Sequence, residues 1–183
     1  NTINIQGTAA EVAAAVDDVN TFSAAATAEL SNAHTLAELK TINNAIGGVL
    51  TLGDYTVALS GSSSDVAAAL SGSLAAQYTG AVSLSDTHTL AELKTINNQT
   101  NNTITLTSYG EALTGSTADV KAALDGTFAA AYTGNVTLND ANTTNITATD
   151  ITQIEGDTAG TITVSNTINI QGTAAEVAAA VDD

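Results

Sequence analysis

A Ser or Thr, an acid three residues later and an apolar residue straight after it mark the start of an α-helix, and this chain carries that pattern seven times. The hydroxyl accepts the backbone N–H of the third helical residue. The acid reaches back to the cap N–H and sits at the positive end of the helix dipole. The seven pairs are Thr8/Glu11, Thr35/Glu38, Ser62/Asp65, Thr89/Glu92, Ser116/Asp119, Thr147/Asp150 and Thr173/Glu176. From Thr8 to Ser116 their first members advance in equal steps of 27, and the last two steps are 31 and 26. One such box is common. Seven at near-constant spacing predict a repeat architecture.

Two longer periods lie above the first. The segments opening at Thr8, Ser62, Ser116 and Thr173 resemble one another, and those opening at Thr35, Thr89 and Thr147 form a second class. The expected repeat is therefore a pair of units, with a period of 54 from Thr8 to Ser62 and again from Thr35 to Thr89. This divides the chain into 1–6 (end of a preceding repeat), 7–60, 61–114, 115–171 and 172–183 (start of the next period). The third repeat carries an insertion near 143–146. Residues 1–18 also recur unchanged as 166–183, an offset of 165. That identity reads as a window cut from a longer tandem array, one period plus an overlap.

Alternation of apolar residues places short strands between the helices, at Val49–Leu52, Tyr55–Leu59, Val82–Leu84, Thr103–Thr107, Val136–Leu138, Thr161–Val164 and Thr167–Ile170. The stretch from Phe22 to Leu30 is the weakest candidate. A ten-residue helix is ~15 Å long and a five-residue strand ~17 Å, so both fit as sides of one coil. The predicted fold is an α/β solenoid of 27-residue helix-plus-strand coils, open-ended, with parallel stacked strands. Strands stack at about 4.8 Å and helices at about 8–10 Å. The expected shape is thus a curved or superhelical rod with its strands inside.

Composition narrows the function. Hydrophobic residues make up 44% but aromatics only 3%, so the core is built from small side chains. Three lysines (Lys40, Lys94, Lys121) face nineteen acids, for a formal charge of −16, which repels nucleic acid and anionic membranes. No apolar run is long enough to insert in a membrane. There is no Cys, hence no disulfide.

The chemistry-bearing residues are few. His34 and His88 stand one helix pair apart, each before a helix cap, and read as repeat positions. Glu155 and Asp157, in one turn, and the pairs Asp17-Asp18 and Asp182-Asp183 are the metal candidates. None sits in the D-x-[DN]-x-[DN]-G pattern of a calcium loop, so no cofactor is expected and calcium is the alternative. There is no G-x-S-x-G and no phosphate loop, and no enzyme is expected. Sequons occur at Asn98, Asn101, Asn135, Asn142 and Asn145. The threonines of Thr103–Thr107 face outward, and a ladder with Thr51, Thr161 and Thr163 would offer a flat face of the kind that binds ice.

The motifs T-L-A-E-L-K-T-I-N-N, T-I-T-L-T and A-A-Y-T-G-N-V-T-L, from Thr89 onward, resemble repeats of very large secreted surface proteins of marine bacteria and cyanobacteria. Such proteins often carry calcium-binding nonapeptides as well, but no G-G-x-G-x-D occurs here. The resemblance implies an extracellular or cell-surface structural array. Its partner would be itself, end to end and in lateral bundles. The alternative is an adhesive module that holds a glycan, ice or calcium on the Thr-rich face or the insertion.

Overall fold

A computed structural model describes residues 3–19, 22, 23 and 25–182. It is an α/β structure in which seven helices alternate with parallel strands among the described residues. In chain order the elements are β1 (Asn4–Gly7), α1 (Ala9–Asp17), β2 (Thr27–Leu30), α2 (Leu36–Ala45), β3 (Val49–Thr51), β4 (Leu59–Gly61) and α3 (Ser63–Leu70). Next come β5 (Ser73–Leu74), β6 (Val82–Leu84), α4 (Leu90–Gln99), β7 (Ile104–Thr105), β8 (Leu113–Gly115) and α5 (Thr117–Leu124). The last are β9 (Val136–Leu138), β10 (Asn145–Thr147), α6 (Ala148–Asp157), β11 (Ile162–Val164), β12 (Asn169–Gln171) and α7 (Ala174–Ala179).

All seven predicted caps open a helix. Each cap residue is extended, as Thr89 is at φ −94° and ψ 162°, while the residue after it is helical. The longer helices stop where the backbone returns to the extended region, at Ile46, Thr100 and Thr158. The buried stripe is narrow. Leu39 and Ile42, Leu93 and Ile96, and Ile151 and Ile154 recur three residues apart on successive helices of that class. Each such side chain contributes about 1.5–3 kcal/mol when removed from water. Consecutive helices pack against one another along the whole series, and alanines such as Ala69 and Ala123 are fully buried there. No helix among the described residues is long and apolar enough to cross a membrane.

Every strand pair among the described residues is parallel. One sheet joins Ile5, Ala28, Leu50 and Leu74, in register steps of 23, 22 and 24. A second joins Leu59, Val82 and Ile104 and bridges to Phe128, in the same three steps. The third joins Leu113, Val136 and Ile162, and the fourth joins Ile146 and Ile170. These steps fall short of the spacing between helix starts, so each sheet slides past the helices. In the first sheet β1 and β2 lie just upstream of a helix, whereas β3 and β5 lie just downstream of one.

Three strand expectations need correction. Tyr55–Leu59 forms no strand before Leu59. Its backbone is tied by an Asp54 turn, in which Asp54 Oδ1 accepts from Thr56 N at 2.8 Å. Thr103–Thr107 pairs only at Ile104 and Thr105, although Ile104 and Leu106 are buried as the alternation requires. The threonine ladder does not form. Thr51 is registered with Glu29, Thr105 with Ser83 and Thr163 with Thr137, in three different sheets. The insertion, to which the sequence assigns no element, contributes a strand, because Asn145–Thr147 becomes β10. Its four residues account for the lengthened step from Val136 to Ile162, 26 against 22 for the equivalent Val82 to Ile104.

Candidate functional site

The helix starts divide into two kinds by the length of one side chain. Glu11, Glu38, Glu92 and Glu176 fold back onto their own cap N–H and complete the capping box. Asp65, Asp119 and Asp150 are one methylene shorter and turn instead to a lysine of the preceding helix. Lys40, Lys94 and Lys121 each pair with one of them. That lysine bond is the main reason the three aspartates are held below the ordinary carboxylate range, followed by the cap hydroxyl. Glu11 and Glu176 are lowered first by the cap backbone N–H and then by the cap hydroxyl. Thr89→Ala removes the acceptor for Glu92 N and is expected to cost about 1 kcal/mol by chemical denaturation. An unchanged midpoint would refute the cap.

The other ends of α3 and α5 are also held from outside. A helix leaves its last carbonyls without partners. Asn43 Nδ2 donates to Ala69 O at 2.8 Å, and Asn97 Nδ2 donates to Ala122 O at 3.0 Å, so α2 caps α3 and α4 caps α5. At the first helical N–H of α1, α3 and α5 the acceptors are Asn32, Asp86 and Asp140, at 2.8, 2.7 and 2.9 Å. These acceptors recur once per helix pair.

A buried polar pair runs through the interior on the same period. Tyr78 Oη donates to Val57 O at 2.6 Å and lies 3.0 Å from His34 Nε2. Tyr132 does the same with Glu111 O at 2.7 Å and His88 Nε2 at 3.0 Å. The phenol proton is committed to the carbonyl, so Nε2 must carry a hydrogen and donate. Nδ1 is then a bare lone pair, and in both histidines it is buried without a partner among the described residues. Burial holds both imidazoles below their ordinary 6.5, against the opposing pull of Asp54 and Glu38 on His34, and of Glu111, Glu92 and Asp86 on His88. Both phenols are pushed up by burial and stay neutral.

The insertion is where the paired pattern breaks. Thr143 adopts φ 67°, the left-handed region that costs a β-branched residue about 1–2 kcal/mol. Hydrogen bonds to the duplicated segment hold it there. Thr143 N donates to Thr167 O at 2.7 Å, Asn169 Nδ2 donates to Thr143 O at 3.1 Å, and Asn142 Oδ1 accepts from Thr167 N at 3.1 Å. β10 then pairs with β12. The equivalent strands β4 and β8 start their sheets, with no strand on that side among the described residues. The insertion thus supplies an extra strand where residues 166–183 begin.

A polar groove of about 730 Å³ lies beside α5, lined by Asn97, Asn98, Asp125, Asp140, Thr144 and Asn145 among others. No aromatic ring lines it among the described residues. Nor, among those residues, do three His, Asp or Glu side chains gather around a point that a metal ion would occupy, and Glu155 and Asp157 join no such group. Asp157 is half-buried beside Asp125, and desolvation raises its pKa. Asp17 and Asp18 are exposed beyond the buried part of α1, as is Asp182 beyond α7, and Asp183 lies outside the described residues. The sequon asparagines Asn98, Asn101, Asn135, Asn142 and Asn145 are exposed.

No protein-family model, curated protein or solved structure matches the chain. The caps are therefore the residues that sequence reasoning alone can place. The lysine–aspartate links and the His–Tyr pairs escape it. A signal for the links is present, because each lysine is followed 25 or 29 residues later by an Asp at the third helical position and never by a Glu.

Proposed function

We propose that the chain is a length of an open-ended α/β solenoid that serves as a non-catalytic structural repeat of an extracellular or cell-surface fibre. The observation that carries this reading is where the polar side chains are spent. The lysine links, asparagine caps, loop caps and His–Tyr pairs tie one helix or strand to the next, and most recur in the following helix pair. The sliding sheets fit a superhelix. The strand register advances by 22 to 24 while the helix starts advance by 27, so successive helices are displaced around the axis as well as along it. That reconciles the ~4.8 Å and ~8–10 Å spacings. The resemblance to giant secreted surface proteins supports the location, and the acidic surface keeps fibres apart at low salt.

Gold-labelled antibody against the chain, applied to the cells that make it, is expected to decorate thin fibres outside them. Label confined to the cytoplasm or to compact particles would overturn the proposal. The strained Thr143 and the neighbouring groove favour a second reading, an adhesive module for a glycan or calcium. Saturable binding of either at micromolar concentration, lost on deletion of 143–146, would promote it.

A further inference from the structure

The caps, lysine links and His–Tyr pairs recur from one helix pair to the next, whereas the five sequons do not. One pair earlier, Asn98, Asn101 and Asn135 are matched by Asn44, Gly47 and Ala81, none of which opens a sequon. Asn142 and Asn145 stand at the insertion, which the other repeats lack. The structure gathers what the sequence scatters. Asn98, Asn101, Asn145 and Thr144, the hydroxyl residue of the sequon at Asn142, all line the groove of about 730 Å³ beside α5. The five differ in the backbone that carries them. An acceptor Asn-x-Thr belongs to a surface loop, where carboxamide and hydroxyl can be reached together. Asn98 lies within α4, and its Thr100 is 4% exposed. Asn135-Val136-Thr137 runs into β9, between β8 and β11, and Asn135 Oδ1 accepts from Thr161 N at 2.9 Å. Asn145–Thr147 is β10, and the Thr147 hydroxyl is spent on the cap of α6. Two sequons remain. Asn101–Thr103 is the loop between α4 and β7, and Asn142–Thr144 is the turn before β10. Both asparagines are exposed and both threonines partly so. Asn142 is anchored through its oxygen, which accepts from Thr167 N, and not through its nitrogen. Both loops are interior to the stack. Tyr78 O takes the Asn101 N–H on one side while Ile104 bridges to Phe128 on the other, and Thr167 continues the stack beyond Asn142.

We propose that Asn101 and Asn142 carry N-linked sugar chains, and that the groove beside α5 is the bed for their first sugar units. This deepens the fibre reading and rests on its extracellular part. The chain is the acceptor only, and a transferase of the cell supplies a sugar activated as its diphosphate. In the transfer, Nδ2 of the asparagine bonds to the anomeric carbon. The anomeric C–O bond breaks, the diphosphate leaves with its electron pair, and one carboxamide proton is released. The walls of the groove suit a sugar that is tethered more than one that arrives free. Gln77, Thr127 and Asp125 offer an amide, a hydroxyl and a carboxylate to sugar hydroxyls. No aromatic ring lines the groove among the described residues, so a free sugar has no face to stack on. A linked sugar is held at high local concentration by its own bond and needs no such face. The consequence for a fibre is spacing. Salt screens the acids beyond about 8 Å, whereas a bulky, hydrated sugar chain keeps neighbours apart at any ionic strength.

The test uses the native protein from the cells that make it, denatured and then analysed by mass spectrometry. Cleavage after Glu92, Glu111 and Glu155 yields one peptide with Asn98 and Asn101 and another with the remaining three sequons. Fragmentation should place a saccharide mass on Asn101 and on Asn142, and none on Asn98, Asn135 or Asn145. Bare Asn101 and Asn142 overturn the proposal. So does a saccharide spread evenly over all five sequons, which would mean that the fold selects nothing. Sugar that leaves on denaturation is a bound ligand, and it overturns the linkage. Thr103→Ala and Thr144→Ala, made in the producing cells, keep the asparagines and remove the hydroxyls. Each should abolish the saccharide at its own site and leave the other site occupied. Thr103→Ser and Thr144→Ser should retain it, and equal loss in the Ser and Ala variants would overturn the assignment. Bare asparagines on fibres that the antibody labels outside the cell would overturn the glycosylation and spare the fibre reading. Label confined to the cytoplasm overturns the fibre reading whatever the asparagines carry.

Discussion

Tyr132→Phe should destabilise the protein by about 1–3 kcal/mol for each of the two groups it strands, the Glu111 carbonyl and one N–H of His88. The imidazole has no escape through its other tautomer, because Nδ1 has no acceptor among the described residues either. Tyr78→Phe strands the Val57 carbonyl and His34 in the same way. The two sites share no partner, so a double variant should show close to the sum in urea melts. A double loss below about 1 kcal/mol would mean that water replaces the phenol. The same pairs set a pH dependence. Both imidazoles have folded values below 6.5, so their contribution is complete above pH 6.5 and is lost as pH falls through the folded values. Asp157, raised by desolvation, shifts stability the other way as pH falls, so the profile from pH 7 to 5 is measured in an Asp157→Asn background. A flat profile across that interval would contradict the buried neutral histidines.

Gly126→Ala should cost about 1–3 kcal/mol through overpacking, and more if the backbone of α4 has to move. A Cβ at Gly126 would fall far inside van der Waals contact with Oδ1 of Asn97, the side chain that caps Ala122 O. Asn97 must leave, and the last turn of α5 loses its cap. Asn97→Ala should therefore rescue part of the loss in the double variant, a negative coupling that an unrelated pair would not give. Gly72 stands in the same relation to Asn43, so Gly72→Ala provides an internal replicate. Additive losses at both sites would rule out the clash.

What the sequence makes legible is local. A cap is decided by residues three apart, so Thr8, Thr35, Ser62, Thr89, Ser116, Thr147 and Thr173 can be placed without knowing the fold. The strands are two to four residues long, and their partners lie a whole coil away, as Leu50 does from Ala28 and Ile162 from Val136. Alternation over so few residues cannot choose between a ladder and a turn, as at Tyr55–Leu59. There the Asp-x-Thr turn at Asp54 is the stronger signal. His34 and Tyr78 are 44 residues apart, a spacing set by how far the strand register has slid over two helices. The period of the helix starts does not contain that number. The recurrence of both residues at 88 and 132 is the clue available.

The sliding register also governs how the stack would carry load. The first sheet ends at Leu74, yet the second has already begun at Leu59. The second bridges on to Phe128, and the third begins at Leu113. The fourth starts at Asn145, before the third stops at Val164. Each seam is a lap joint: no cut across the strands falls where all the ladders end together. A crack that opens one row of backbone bonds at its terminus meets an intact row beside it. Parting the stack at a seam must therefore break two rows of backbone bonds together. If the chain serves in a fibre, as proposed, this overlap spreads the load at every seam over two ladders.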